Sequence, residues 1–146
     1  MGLDQYAVRV LPENAKKRKG KILIKANQGS DDVIATWRKH PNLQWWMYQL
    51  WLKKNPKAPK LRTINMLGES FDGAPAFNAE EKLELKLEDL DQLESEVKAG
   101  SLPHTDIGWF WGSPCDMEER KNDLEFIAKA RHALHEGFKV FYFSWW

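Results

Sequence analysis

Phe138-Lys139-Val140-Phe141-Tyr142-Phe143-Ser144-Trp145-Trp146 is the stretch on which the fold turns. It reads as a strand, with Val140 and Tyr142 on one face and Phe141 and Phe143 on the other. A frayed tail would expose the Trp145 and Trp146 indoles, so the strand is expected to dock into a sheet. Immediately before it, Gly137 closes a long helical pattern. That helix is expected to start at Ser113-Pro114-Cys115-Asp116, with serine as cap, proline at the first position and an acid in the first turn. Met117, Leu124, Ile127, Ala130 and Leu134 are its expected inward residues.

Working back, Ile107 to Trp111 reads as an aromatic strand ended by Gly112. Leu83, Leu85 and Leu87 alternate with charged residues, a further strand. The helix near Asp89 to Ala99 places Leu90, Leu93 and Val97 on one side, and Gly100 is a plausible stop. Pro41 can open a helix because its missing N–H is not needed there. Leu43, Trp46, Met47, Leu50 and Trp51 make that helix's inward stripe, at intervals of three and one. Asp31 and Asp32 suggest a further short helix through Val33 and Ile34 to about Lys39. Tyr6, Val8 and Val10 alternate with Gln5, Ala7 and Arg9 as a first strand. Ile22 to Ile24 reads as a second, the two forming a hairpin. Residues 12–21 are expected to be its solvated basic loop. Residues 53–80, with prolines, glycines and basic residues, read as mostly irregular, with a short strand near Thr63 to Leu67. The predicted class is a single-domain α+β protein, with a mixed or mostly antiparallel sheet and three or four helices on it.

The chain has 146 residues, 42% of them apolar and 29% charged, with a net charge of +1. One domain with one core fits those values. The single cysteine excludes an internal disulfide framework. No apolar run approaches the roughly 20 residues of a membrane span, so no membrane role is expected. Met1 to Val10 shows no secretory pattern, which makes a cytoplasmic location the expectation. Eight tryptophans are the compositional oddity.

Two stretches could carry chemistry. In Trp37-Arg38-Lys39-His40-Pro41-Asn42, potential cations precede a helix N-terminus, which favours an anion. Arg38 can grip a phosphate or carboxylate with two donors, and His40 could transfer a proton. The plainer reading is a junction with solvated charges. In Gly108-Trp109-Phe110-Trp111-Gly112-Ser113, a strand leads through glycine into the cap at Ser113, with Trp109 or Trp111 as a stacking wall. The plainer reading is a buried aromatic strand. Neither stretch is a nucleophile elbow or a P-loop, and no cofactor is expected. Cys115 and the pair His132 and His135 read as packing and as helix-end charges, so no metal site is expected. The acidic stretch from Glu80 to Glu96 reads as a solvated face. The basic segments beside Trp45 or Trp51 make nucleic-acid binding possible but not favoured, because no recognised motif accompanies them.

Met1-Gly2-Leu3-Asp4-Gln5-Tyr6, Trp37-Arg38-Lys39-His40-Pro41-Asn42-Leu43-Gln44, Glu88-Asp89-Leu90 and Ser144-Trp145-Trp146 together resemble a family of small tailed-bacteriophage (cyanophage-like) proteins of uncharacterised activity. The resemblance spans nearly the whole chain. This sequence departs from that pattern at Phe143, a position that is often polar or acidic in the family. The resemblance implies an accessory protein made in the cytoplasm of an infected host cell. A phosphoglycerate-kinase activity is not expected on physical grounds, because the chain is too short for two lobes and has no glycine-rich nucleotide loop.

The resembling segments suggest one pocket at a sheet end. Its expected members are Asp4, Trp37, Arg38, Lys39, His40, Asn42, Trp109, Trp111, Ser113, Ser144 and Trp145. The expected function is a non-enzymatic module binding a small anionic, nucleotide-like ligand or a host protein. Two alternatives stand beside it. One is a phosphoester or nucleotide hydrolase with His40 as acid or base, Arg38 and Lys39 on the phosphate, and Asp4 or Asp116 orienting the histidine. The other is a virion or interaction component.

Overall fold

Strand β8, Lys139–Trp145, lies inside a four-stranded sheet ordered β4-β1-β8-β7. In this computed structural model the described residues are 3–18, 21–24, 32–57, 62–64, 67–68, 70–72, 82–102 and 117–145. Strand β1 is Asp4–Val10, β4 is Val33–Arg38 and β7 is Leu83–Leu85. Every pairing in the sheet is antiparallel. Two small hairpins accompany it, β2 (Ala15–Arg18) with β3 (Lys21–Ile24) and β5 (Arg62–Ile64) with β6 (Ser70–Asp72). Three helices follow the expected patterns: α1 Pro41–Lys54, α2 Leu87–Ala99 and α3 Met117–His135. The protein is a single-domain α+β structure.

Alternation along the strands divides the sheet into two faces. Ala7, Trp37, Val140, Tyr142, Leu83 and Leu85 pack with the helices in the main core. Leu43, Trp46, Met47 and Trp51 come from α1, Leu90, Leu93 and Val97 from α2, and Phe126, Ile127, Ala130 and Ala133 from α3. Each large buried side chain contributes roughly 1.5–3 kcal/mol. On the opposite face Val8, Val10 and Phe141 form a small cluster, joined by Ala15 and Ile24 of the β2–β3 hairpin and by Phe143. The two-faced reading of β8 therefore holds.

Several expectations change. Leu87 opens α2 and is 42% exposed instead of extending β7. Val33 to Arg38 is a strand, not a helix. Val33, Ile34 and Thr36 are β-branched, and the β1 ladder gives them partners from Asp4↔Arg38 to Val8↔Val33. The expected basic loop is largely ordered: Ala15 to Arg18 pair with Lys21 to Ile24. Small Ala15 lets that hairpin lie on the sheet, and β3 pairs with β2 rather than β1. Met117 is 85% exposed rather than inward. Strand β8 docks as expected, yet the Trp145 indole is 64% exposed. The predicted strand at 107–111 and the cap at 113–116 lie outside the described residues.

Gly100 stops α2 at φ 67°, as its position predicts. Asp89 begins the same helix by accepting the Lys86 backbone N–H at 2.8 Å. No helix among the described residues is long and apolar enough to cross a membrane.

Candidate functional site

The junction between β4 and α1 aims His40 inward. Lys39 adopts a left-handed backbone, φ 58°, and its N–H donates to the Leu3 carbonyl at 2.7 Å. That bend reverses the chain between exposed Arg38 and buried His40. The Gln5 side-chain amide then holds the His40 backbone twice. Its Nε2 donates to the His40 carbonyl and its Oε1 accepts the His40 N–H, each at 2.9 Å.

The His40 imidazole is 1% exposed. Its Nε2 lies 2.9 Å from Asp123 Oδ2. Trp37 Nε1 donates to the other carboxylate oxygen, also at 2.9 Å. His40 Nδ1 faces Glu119 Oε2 at 3.9 Å. The Trp37 ring is packed edge-on against Phe126. A second polar chain runs alongside. Gln5 Nε2 donates to the Tyr142 hydroxyl at 2.9 Å, and that hydroxyl donates to Gln44 Oε1. Gln44 Nε2 donates to Ser144 Oγ at 2.9 Å. Burial holds the Tyr142 hydroxyl well above the ordinary phenol range; the Asp123 charge pushes the same way, and the Gln5 hydrogen bond opposes it. Tyr142 therefore stays a donor. Buried polar groups satisfied this way fix one arrangement of the core.

The sheet separates the residues expected to share one pocket. Trp37, His40, Asn42 and Ser144 are buried on the helix side. Asp4, Arg38 and Trp145 lie in one cross-strand row, paired Asp4↔Arg38 and Asp4↔Trp145. Directly opposed residues share a face, and this row lies on the face away from the helices. Asp4 and Arg38 do meet, with Oδ1 and Nε 4.0 Å apart. Arg38 is 78% exposed at its side chain, and Lys39 is exposed beside it. The single pocket is thus replaced by a buried network and an exposed row. Trp109, Trp111 and Ser113, with Asp116, lie outside the described residues.

Comparison with protein-family models, curated proteins and solved structures found no match. The site therefore has to be read from its own chemistry.

Asp123 takes the place beside His40 that Asp4 or Asp116 was expected to fill. Its signal was present: it lies three and four positions before the inward Phe126 and Ile127. A carboxylate on an inward stripe needs a partner. Gln5 gave the same signal, two positions from buried Ala7. His132 is exposed and contacts Glu136 at 2.6 Å within α3. Among the described residues no three His, Cys, Asp or Glu side chains gather as metal ligands. The tryptophans beside the second basic segment form no stacking groove: Trp51 is buried, and half-buried Trp45 lies edge-on to Tyr48. A cleft of about 610 Å³ opens between α1 and α2. Within it the Trp46 indole N–H donates to Glu96 and Lys54 contacts Asp89.

Proposed function

We propose that this chain is a non-enzymatic binding module that takes a small anionic, nucleotide-like ligand on the exposed row Arg38–Asp4–Trp145. The observation that supports it is the exposure of a guanidinium and an indole in one row, with the Lys39 ammonium beside them. Arg38 supplies paired donors to a phosphate, and Trp145 supplies a flat apolar wall for a ring. Asp4, with Oδ1 4.0 Å from Nε, orients the guanidinium. In the phage setting that the sequence resembles, such a module acts as an accessory protein in the host cytoplasm.

The hydrolase alternative loses support from the burial of His40 and its engagement by Asp123. An imidazole held in this way ties β4 to α3 rather than facing a substrate. The exposed Trp145 favours one second reading, an interface with a host protein, because lone exposed indoles serve as binding hot spots.

Isothermal titration with nucleoside mono- and triphosphates tests the ligand reading. Micromolar binding that weakens at least tenfold in Arg38→Ala supports it. Absence of heat at millimolar nucleotide overturns it.

A further inference from the structure

The outer face of the sheet carries more than one row of binding chemistry. Next to Arg38–Asp4–Trp145 runs a second row, Thr36–Tyr6–Phe143, set by the same pairings. Tyr6 and Phe143 stand on the two central strands and stack at 5.4 Å with their planes 25° apart. Lys82 Nζ lies 4.8 Å from the Phe143 ring centroid. The two rows are two residues apart along each strand, roughly 7 Å. Beyond them the face is covered by the β2–β3 hairpin, whose Ala15 and Ile24 pack on Val8, Val10 and Phe141. That hairpin carries exposed Lys16 and Lys17.

We propose that this half of the outer face, where Trp145 and Arg38 are exposed and Tyr6 and Phe143 half-buried, binds single-stranded nucleic acid, with bases stacking along Trp145 and the Tyr6–Phe143 pair and phosphates meeting Arg38, Lys39, Lys82 and the hairpin lysines. The inference rests on the ligand reading above and extends it from one nucleotide to a strand. Charge complementarity supports that occupant. The carboxylates Asp4 and Glu84 on this face each lie within 4.0 Å of a cation, Arg38 and Lys86 respectively. Arg38, Lys39, Lys16 and Lys17 are exposed cations on or beside this face. Aromatic side chains on the central strands of a four-stranded sheet are a recurrent platform for unstacked bases, whereas paired bases in a duplex keep their faces hidden. Two ring positions in successive rows suit consecutive bases better than one base.

Fluorescence anisotropy on the full chain tests this with labelled ten-residue oligothymidylate and oligouridylate, a ten-base-pair duplex, and thymidine and uridine monophosphates as competitors. The decamers are expected to bind at least tenfold more tightly than the monophosphates and the duplex, and more weakly as salt rises. Trp145→Leu should weaken the decamers about tenfold or more. Lys82→Gln should weaken the decamers more than it weakens the monophosphates. Unequal affinity for the two decamers would tell a DNA ligand from an RNA one. Monophosphates binding as tightly as decamers would overturn the strand proposal and leave the single-ligand reading standing. Equal binding of the duplex would also overturn it, because charge alone would then account for the affinity. If neither decamer nor monophosphate binds, both readings fall.

Discussion

His40 and Asp123, 83 positions apart in the sequence, meet in the core with Nε2 2.9 Å from Oδ2. The contact joins the start of α1 to the middle of α3 across the end of β4. Asp123 also receives the Trp37 indole N–H, so one carboxylate serves two aromatic donors from the same short segment.

Replacing that carboxylate should be costly. Asp123→Ala strands the Trp37 indole N–H and the His40 ring nitrogen in a buried site. Each stranded group costs about 1–3 kcal/mol. Urea denaturation should show a lower midpoint with an unchanged slope. Asp123→Asn, which keeps an acceptor oxygen, should lose less than Asp123→Ala.

Lys39 should respond in opposite directions to two substitutions. Its left-handed backbone, φ 58°, costs an L-residue about 1–2 kcal/mol. Lys39→Gly removes that cost and should leave the melting temperature unchanged or higher. Lys39→Val, with a β-branched side chain at a positive φ, should lower it. Both variants lack the ammonium, so both should bind nucleotides more weakly. The stability and binding effects of this position can therefore be read separately.

Gly100 ends α2 at φ 67°, and a Cβ there would lie 2.5 Å from Arg120 Nη2. The end of a flexible arginine can move away, so the backbone sets the larger part of the penalty. Gly100→Ala should destabilise the protein by about 1–2 kcal/mol. Adding Arg120→Ala should restore little of it. Thermal denaturation of the single and double variants measures both statements.

Arg131 bridges α3 to Asp91 and Glu94 of α2, each at 2.6 Å. The hydrogen bond from Arg131 is the largest influence on the Glu94 carboxyl, whose pKa is lowered. A carboxyl with a lower pKa when folded binds fewer protons than its unfolded counterpart. Its stabilising effect is therefore complete above the unfolded value and fades as pH falls through the folded one. Stability followed from pH 6 to pH 3 should decline less steeply in Arg131→Gln than in the parent. The difference should be small, because the pair is solvated.

The three helices and the last strand were legible because their apolar spacing is regular. Leu90, Leu93 and Val97 leave no second interpretation, and neither does Pro41 ahead of Leu43, Trp46 and Met47. Strand β4 was not legible. Asp31 and Asp32 mimic a helix start, and the preference of Val33, Ile34 and Thr36 for a strand is realised only through β1, which lies far back in the chain. The candidate site was half legible. Arg38, Asp4 and Trp145 do gather, but alternation along β4 and β8 sends their neighbours Trp37 and Ser144 to the opposite face. Asp123 could be read as an inward carboxylate needing a partner, but nothing local to it identifies that partner as His40, 83 positions away.

Strands β1 and β8 share the middle of the sheet, and that arrangement sets a timetable for the chain as it is made. Gln5 reaches His40 across 35 positions but Tyr142 across 137. On the ribosome, β1 can pair with β4 early, while its other edge waits for β8. At ordinary ribosomal synthesis speeds the wait is on the order of ten seconds. Throughout it, one edge of β1 stays open beside apolar Val8 and Val10, the geometry that recruits stray strands. The nascent protein is therefore most exposed to aggregation before β8 emerges to fill the place between β1 and β7.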